Sequence, residues 1–184
     1  MKEMTIAKRI SLCAMCIALC YVLPLAFHAV GLGGTLSPMH IPVLLCGLIC
    51  GGWCGALCGI IGPVLSSLLS GMPPVMMLIR MIPELCVYGL VGGLCTRFIR
   101  TGRGSADVYI SLVIAMIAGR IVGGIASAIF FTVTTGVYSI GLWATGYFVK
   151  SLPGIATHLL VVPLLIFTLV KAKLIPCRYR KTAA

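Results

Sequence analysis

The sequence predicts an all-α integral membrane protein with six transmembrane helices, and its composition and charge pattern carry this prediction. Hydrophobic residues make up 60% of the 184 residues, charged residues only 9%, and the mean hydropathy is +1.16. These values lie far outside the range of soluble proteins, and the length allows a single domain over residues 1–184. The cations lie in short tracts between long apolar runs, as the positive-inside rule describes for cytoplasmic segments.

The net charge of +11 would suggest nucleic-acid binding in a soluble protein. Neither a basic helix face nor interleaved aromatic residues accompany this charge in the sequence, so no nucleic-acid partner is expected. The positive-inside rule accounts for the cations instead. The expected surroundings are the lipid bilayer of the cell membrane.

The chain begins with a short basic tail and a first apolar run. Residues 10–29 have about the 20 residues needed to cross a bilayer, and no clear small-x-small cleavage site follows them, so we expect a retained first span. The tail then lies in the cytoplasm, and the turn-rich sequence GLGGTLSP at 31–38 lies outside.

The next apolar stretch, 39–71, is too long for one span, and Gly51-Gly52 supplies a break near its middle. We expect two helices, 40–50 and 53–70. The first is too short to cross a bilayer unless loop residues contribute or the membrane thins. The sequence SGMPP then forms a turn, because Pro-Pro prevents a helix until after it.

Three further spans follow, and the loops between them fix the orientation. The arginines of RFIRTGRG mark the inner end of the fourth span, and the Gly- and aromatic-rich segment 134–147 has the composition of an outer loop. Both termini are then cytoplasmic, because the cation tracts fall on one side and only Lys150 lies near the outer ends. The expected spans are 75–98, 107–133 and 148–170.

Three ionisable residues lie within the apolar spans. Arg80 and Glu84 are four residues apart on one helix face, so their side chains can meet, and Arg120 also needs a partner because a charge at this depth costs a few kcal/mol. We expect Arg80, Glu84 and Arg120 to form a buried charge network. Two cations competing for one carboxylate leave a positive charge that an anionic ligand would neutralise; alternatively, Glu84 bridges both arginines or one arginine extends to the interface.

Other polar and aromatic residues lie at the outer ends of the spans. His40 begins the second span, Trp143 lies in the last outer loop, and Tyr147 and Lys150 lie where that loop meets the sixth span. With Arg80 and Glu84 they are candidates for a substrate-binding site. His40 can instead be a helix-end hydrogen bonder, and the aromatic residues can be interfacial anchors.

Metal, cofactor and enzyme functions are not expected from the sequence. The ten cysteines lie almost entirely in apolar segments, where Cys behaves as a small hydrophobe. The row Cys46, Cys50, Cys54 and Cys58 has a regular spacing, but the turn at Gly51-Gly52 interrupts it, and zinc sites need other spacings. No phosphate loop or catalytic motif occurs in the sequence.

Three motifs resemble the substrate-binding S components of energy-coupling factor (ECF) vitamin transporters. They are Ala14-Met-Cys-Ile-Ala18 in the first span, MHIPVLL after the first outer loop, and GPVLSSLLSGMPP leading into LIRMIPELCVYGLVGG. The resemblance covers nearly the whole length. It implies a subunit that captures a vitamin or vitamin precursor from outside and passes it inward with a transmembrane coupling protein and two cytosolic ATPases.

Within the same resemblance, the face of Ala14 and Ala18 docks onto the coupling protein. The cations near the outer pocket favour an anionic vitamin such as niacin or pantothenate, although Glu84 could bind a positive group on a neutral or cationic vitamin. Two other classes remain open, a self-sufficient secondary transporter of small solutes and a structural or channel-forming subunit. The former would usually show internal repeats, and no convincing pair of matched halves is present.

Overall fold

The computed structural model describes residues 4–29, 31, 37–99, 101, 104–135, 141 and 152–175, and all regular structure in these ranges is helical. Five of the six helices are long and apolar enough to cross a membrane, and the remaining one, α2, is shorter. The helices are α1 (Ile6–Ala29), α2 (His40–Cys50), α3 (Gly52–Ser70), α4 (Val75–Phe98), α5 (Gly104–Thr135) and α6 (Leu152–Lys171).

The short helix α2 lies at the centre of the bundle. All 11 of its residues are buried, and it contacts each of the other five helices. A helix that is apolar on every side is stable only when every side is covered. At 1.5 Å per residue its length is roughly 16 Å, about half of the ~30 Å hydrocarbon core, so α2 is an internal helix that does not reach across a bilayer by itself.

A sharp turn at Gly51 separates α2 from α3, as the Gly-Gly sequence predicts. Gly51 has φ 105°, a conformation that favours glycine, and its N–H donates to the Gly47 carbonyl over 3.0 Å. The turn folds the two helices together so closely that a Cβ on Gly55 would lie 2.5 Å from the Cα of Gly47. Helices α2 and α3 therefore form a hairpin.

Glycines also allow α3 to pack antiparallel against α4. A Cβ on Gly59 would lie 2.5 Å from the Leu85 carbonyl oxygen, and a Cβ on Gly52 would lie 2.7 Å from that of Leu90. Between these two contacts, Gly55 and Gly89 meet backbone to backbone. Small residues at a spacing of about four allow such an approach of apolar helices, and this explains the glycine-rich character of both segments.

The remaining pairings bring one end of several helices together. Cys20 of α1 lies 3.9 Å from the carbonyl of Met39, just before α2. Helix α5 runs antiparallel to α4, since Gly123 faces Glu84 and Phe131 faces Arg80. The first turns of α2, the second and third turns of α4 and the first half of α6 thus surround one buried region, which contains most of the buried polar side chains discussed below.

Candidate functional site

The carboxylate of Glu84 is the centre of a buried polar cluster. Glu84 is only 6% exposed, and its Oε1 atom accepts a hydrogen bond of 3.0 Å from the Tyr88 hydroxyl, one turn along α4. The same oxygen lies 3.7 Å from Nε2 of His40. A carboxylate at this depth needs such partners, because burying an unpaired charge is costly.

Two histidines stack beside this carboxylate. The rings of His40 and His158 have centroids 5.5 Å apart and an interplanar angle of 23°, and the edge of the Tyr88 ring approaches His40 at 5.2 Å. Nδ1 of His40 lies 3.1 Å from the Ser37 carbonyl oxygen, and Nε2 of His158 lies 3.4 Å from it. One carbonyl therefore serves two rings, in a segment where Ser37 has a left-handed φ of 45°.

The carbonyl of Ser37 constrains the proton on His40. A carbonyl oxygen only accepts hydrogen bonds, so Nδ1 of His40 carries the proton in this contact. Neutral His40 then has its bare Nε2 towards Glu84, whereas doubly protonated His40 presents an N–H to the carboxylate. An ion pair between Glu84 and His40 therefore needs the second proton on His40.

Helix α5 covers the cluster through two glycines. A Cβ on Gly123 would lie 2.8 Å from Oε2 of Glu84, and a Cβ on Gly119 would overlap the ring of Tyr88. Glycine at both positions leaves the space that the Glu84 and Tyr88 side chains occupy. Because the two glycines are four residues apart, they lie on one face of α5, and this face packs against the polar side chains of α4.

Arg120 follows Gly119 and is 6% exposed. It lines a cavity of about 120 Å³ between α5 and α6, together with five apolar side chains. These are Val113, Met116, Ile117, Ile155 and Leu159. Arg120 is also near enough to His158 to interact with it electrostatically, so the cavity adjoins the polar cluster. The surface that lines this space is almost entirely apolar, so Arg120 places a charge beside it rather than a large polar face.

Arg80 does not form an ion pair with Glu84 within the described residues. Its Nε donates to the carbonyl of Met76 over 3.3 Å, and its guanidinium lies 4.9 Å from the ring centroid of Phe131. The sequence spacing allowed Arg80 and Glu84 to meet, but the structure turns Arg80 towards the start of α4 and the end of α5. The described contacts of Glu84 are with His40 and Tyr88, and the expected network of Arg80, Glu84 and Arg120 stays a prediction.

Two more of the expected residues are described, and three are not. Ala14 and Ala18 are both exposed on α1, so the expected docking face is available for contact. Trp143, Tyr147 and Lys150 lie outside the described residues, and their part in the site stays a prediction.

The sequence did not predict that Tyr88, Ser37 and His158 belong to the polar cluster. Tyr88 lies four residues after Glu84, and Arg80 lies four residues before it. The helical spacing therefore allowed either side chain to meet Glu84. His158 is 1% exposed and hydrogen-bonded, as expected for a core histidine, but its stacking on His40 depends on the packing of α6. The carbonyl of Ser37 has no signal in a sequence.

Comparison with protein families gives one match. The family model for the substrate-specific component of ECF transporters matches residues 8–166, which cover most of the chain and all of the described polar cluster. The search of curated proteins finds no match, and neither does the search of solved structures.

Proposed function

The chain belongs to the family of substrate-specific components of ECF transporters, and we propose that it captures a small anionic vitamin or vitamin precursor from outside the cell. Membership makes it a multi-pass, substrate-binding protein of the cell membrane. Niacin and pantothenate are the proposed kinds of substrate. A transmembrane coupling protein and two cytosolic ATPases would complete the importer, with ATP hydrolysis in the ATPases and no chemical step in this chain.

The observation that carries the substrate proposal is the buried cluster of Glu84, His40 and His158 beside the cavity of Arg120. Arg120 would bind the carboxylate of the vitamin, because a guanidinium holds a carboxylate with two parallel hydrogen bonds. The stacked histidines and Tyr88 would supply flat surfaces and hydrogen-bond donors for a ring or amide. Glu84 would keep these donors in position rather than bind the anion itself.

We assign Arg80 to the entrance of the site. It is half-buried near the end of α5, and its cation is held over Phe131 without a carboxylate partner among the described residues. A cation in this position would attract an anionic substrate. Arg80→Ala should therefore weaken binding of a carboxylate vitamin. An unchanged affinity would show that Arg80 is not part of the binding site.

The proposed orientation has both termini in the cytoplasm. The basic tail before α1, the arginines after α4 and the cations after α6 would then share the cytoplasmic face, in agreement with the positive-inside rule. The polar cluster lies at the start of α2, near the middle of α4 and in the first half of α6. The site would thus face the outside, where the substrate is captured.

Transport in liposomes tests the importer proposal and separates it from a secondary transporter. The purified chain is reconstituted alone, and also with the coupling protein and ATPases of its host, and uptake of radiolabelled niacin and pantothenate is followed. We expect uptake only with the complete assembly and with ATP inside the compartment that corresponds to the cytoplasm. Concentrative uptake by the chain alone would contradict the proposal.

A further inference from the structure

Sulfur atoms from two helices converge at the end of the bundle away from the polar cluster. The Sγ atoms of Cys13 on α1 and of Cys46 and Cys50 on α2 all lie within 4.8 Å of one another, and those of Cys13 and Cys46 are 3.6 Å apart. Cys46 and Cys50 are buried and Cys13 is half-buried. All three are free thiols, so their sulfurs are available as ligands.

The row of cysteines at a spacing of four does not form this group. The turn at Gly51 divides that row between α2 and α3, and its two α2 members, Cys46 and Cys50, lie in the group. Cys13 completes the group, because α1 packs antiparallel to α2 and presents this residue to the last turns of α2. The group therefore depends on the packing of two helices.

A second observation at the same place is a buried donor without an acceptor. Nε of Arg9 is buried and has no hydrogen-bond partner among the residues that the structure describes. The carbonyl of Arg9 lies 3.9 Å from the sulfur of Cys50, and its guanidinium is near enough to interact with that sulfur electrostatically. A cation and an unused donor beside three thiols indicate that a negatively charged group belongs there.

We propose that Cys13, Cys46 and Cys50 bind a single Cu(I) ion as thiolates, with Arg9 offsetting part of the negative charge of the complex. Thiolates are soft ligands that favour Cu(I) over harder ions. Structural zinc sites take four ligands in a tetrahedron, whereas the part of the chain that the structure describes brings only these three ligand atoms within 4.8 Å of one another. Each thiol that coordinates the ion releases its proton to the solvent, and no oxidation or reduction of sulfur or copper takes place.

Cu(I) would join α1 to α2 at this site. Because a ligand that binds only the folded state stabilises that state, the metal should raise the unfolding temperature of the protein. The polar cluster lies at the start of α2 and the sulfurs lie in its later turns, roughly 9 to 15 Å away at 1.5 Å per residue. Metal binding and vitamin binding can thus be tested separately.

The test is a competition for Cu(I) between the full-length protein in detergent micelles and a chromophoric Cu(I) chelator, under reducing, oxygen-free conditions. The wild-type chain should remove one equivalent of Cu(I) from the chelator. A variant with Cys13→Ala, Cys46→Ala and Cys50→Ala should lose at least tenfold in affinity. A variant with Cys86→Ala and Cys95→Ala, two cysteines of α4 outside the group, should bind as the wild type does.

A thermal-shift experiment covers the case in which the triple variant does not fold. Cu(I) should raise the Tm of the wild type and of the Cys86→Ala and Cys95→Ala variant, but not that of the single variant Cys50→Ala. Arg9→Gln should retain the stoichiometry and weaken the affinity. Equal Cu(I) affinity in the wild type and the triple variant, or an equal Tm rise in Cys50→Ala, would overturn the proposal, as would displacement of the ion by equimolar Zn(II).

Discussion

Oε1 of Glu84 lies 3.7 Å from Nε2 of His40 and thereby connects the first residue of α2 to the middle of α4. Since His40 also contacts the Ser37 carbonyl and the ring of His158, this pair joins the polar groups of α2, α4 and α6 in one cluster. Hydrogen bonds and ring contacts between buried side chains hold them in fixed positions. Such preorganisation reduces the entropy lost when a ligand binds.

The hydroxyl of Tyr88 should contribute to stability through Glu84. Tyr88→Phe keeps the ring against His40 but removes the donor that is 3.0 Å from Oε1. Leaving a buried acceptor without its donor costs about 1–3 kcal/mol, so Tm measured by thermal unfolding in detergent should fall. Tyr109→Phe is the matched control, because Tyr109 is 42% exposed and should change stability by less than about 0.5 kcal/mol. Equal Tm values for the two variants would argue against the hydrogen bond.

Alanine substitutions at Gly89 and Gly92, which are three residues apart on α4, should have opposite effects on the stability of the protein. A Cβ on Gly89 would overlap the backbone of Gly55, whereas a Cβ on Gly92 would find its nearest atom at 3.6 Å. Gly89→Ala should lower stability by about 1–3 kcal/mol or prevent folding, because the backbone of α3 cannot move aside without repacking. Gly92→Ala should be neutral or stabilising by up to about 1 kcal/mol, since Ala is the better helix former.

Size-exclusion profiles and Tm values of the two alanine variants check this prediction. Both glycines are buried on the same helix, so general effects of the substitution cancel. A Gly89→Ala protein as stable as Gly92→Ala would show that α3 and α4 do not approach as closely as the structure has them.

Arg120 should determine the affinity for a carboxylate. Arg120→Gln removes the cation that lines the cavity and leaves a shorter, uncharged side chain that can still form hydrogen bonds. Loss of one partner from a buried charge pair costs about 2–5 kcal/mol, so the affinity for the bound vitamin should fall by about 30-fold or more. Arg97→Gln, at an exposed position in the last turn of α4, should leave it unchanged. Titration calorimetry compares the vitamin affinities of the two variants. Equal affinities would show that Arg120 does not bind the carboxylate.

The exposed face of α1 should be needed for assembly but not for vitamin binding. Ala14→Leu and Ala18→Leu add bulk where the coupling protein is proposed to pack, and small residues permit the closest helix contact. Ala26→Leu is a control at another exposed position on α1, roughly two turns further along. Co-purification with the coupling protein should be lost in the first two variants and kept in the third. Retained assembly in all three would place the docking face elsewhere.

The helices could be predicted from the sequence better than the contacts between them. Apolar runs, Gly51-Gly52 and the Pro-Pro turn are local signals, and α2 and α4 begin and end where these signals put them. The side chain that Glu84 contacts on α4 could not be predicted from a local signal of this kind. Arg80 and Tyr88 are equally distant from it along α4, and the rotation of α4 against Gly119 and Gly123 of α5 decides which one it meets.

The cluster of Cys13, Cys46 and Cys50 could not be predicted from a local sequence pattern either. The turn at Gly51 divides the row Cys46, Cys50, Cys54 and Cys58 between α2 and α3, so the regular spacing along the sequence does not tell which of these sulfurs meet. Their convergence with Cys13 depends on which face of α1 packs on α2, and a row of small apolar residues does not specify that face. Long-range pairs of this kind become visible only when the helices are assembled.

Binding of a vitamin panel to the purified wild-type chain tests the central claim most directly. Titration calorimetry with niacin, pantothenate, pyridoxine and thiamine requires neither the coupling protein nor the ATPases. The account predicts saturable binding of a carboxylate vitamin at one site per chain, and weaker or undetectable binding of the neutral and cationic vitamins. Absence of saturable binding for every member of the panel, or preference for a cationic vitamin, would contradict it.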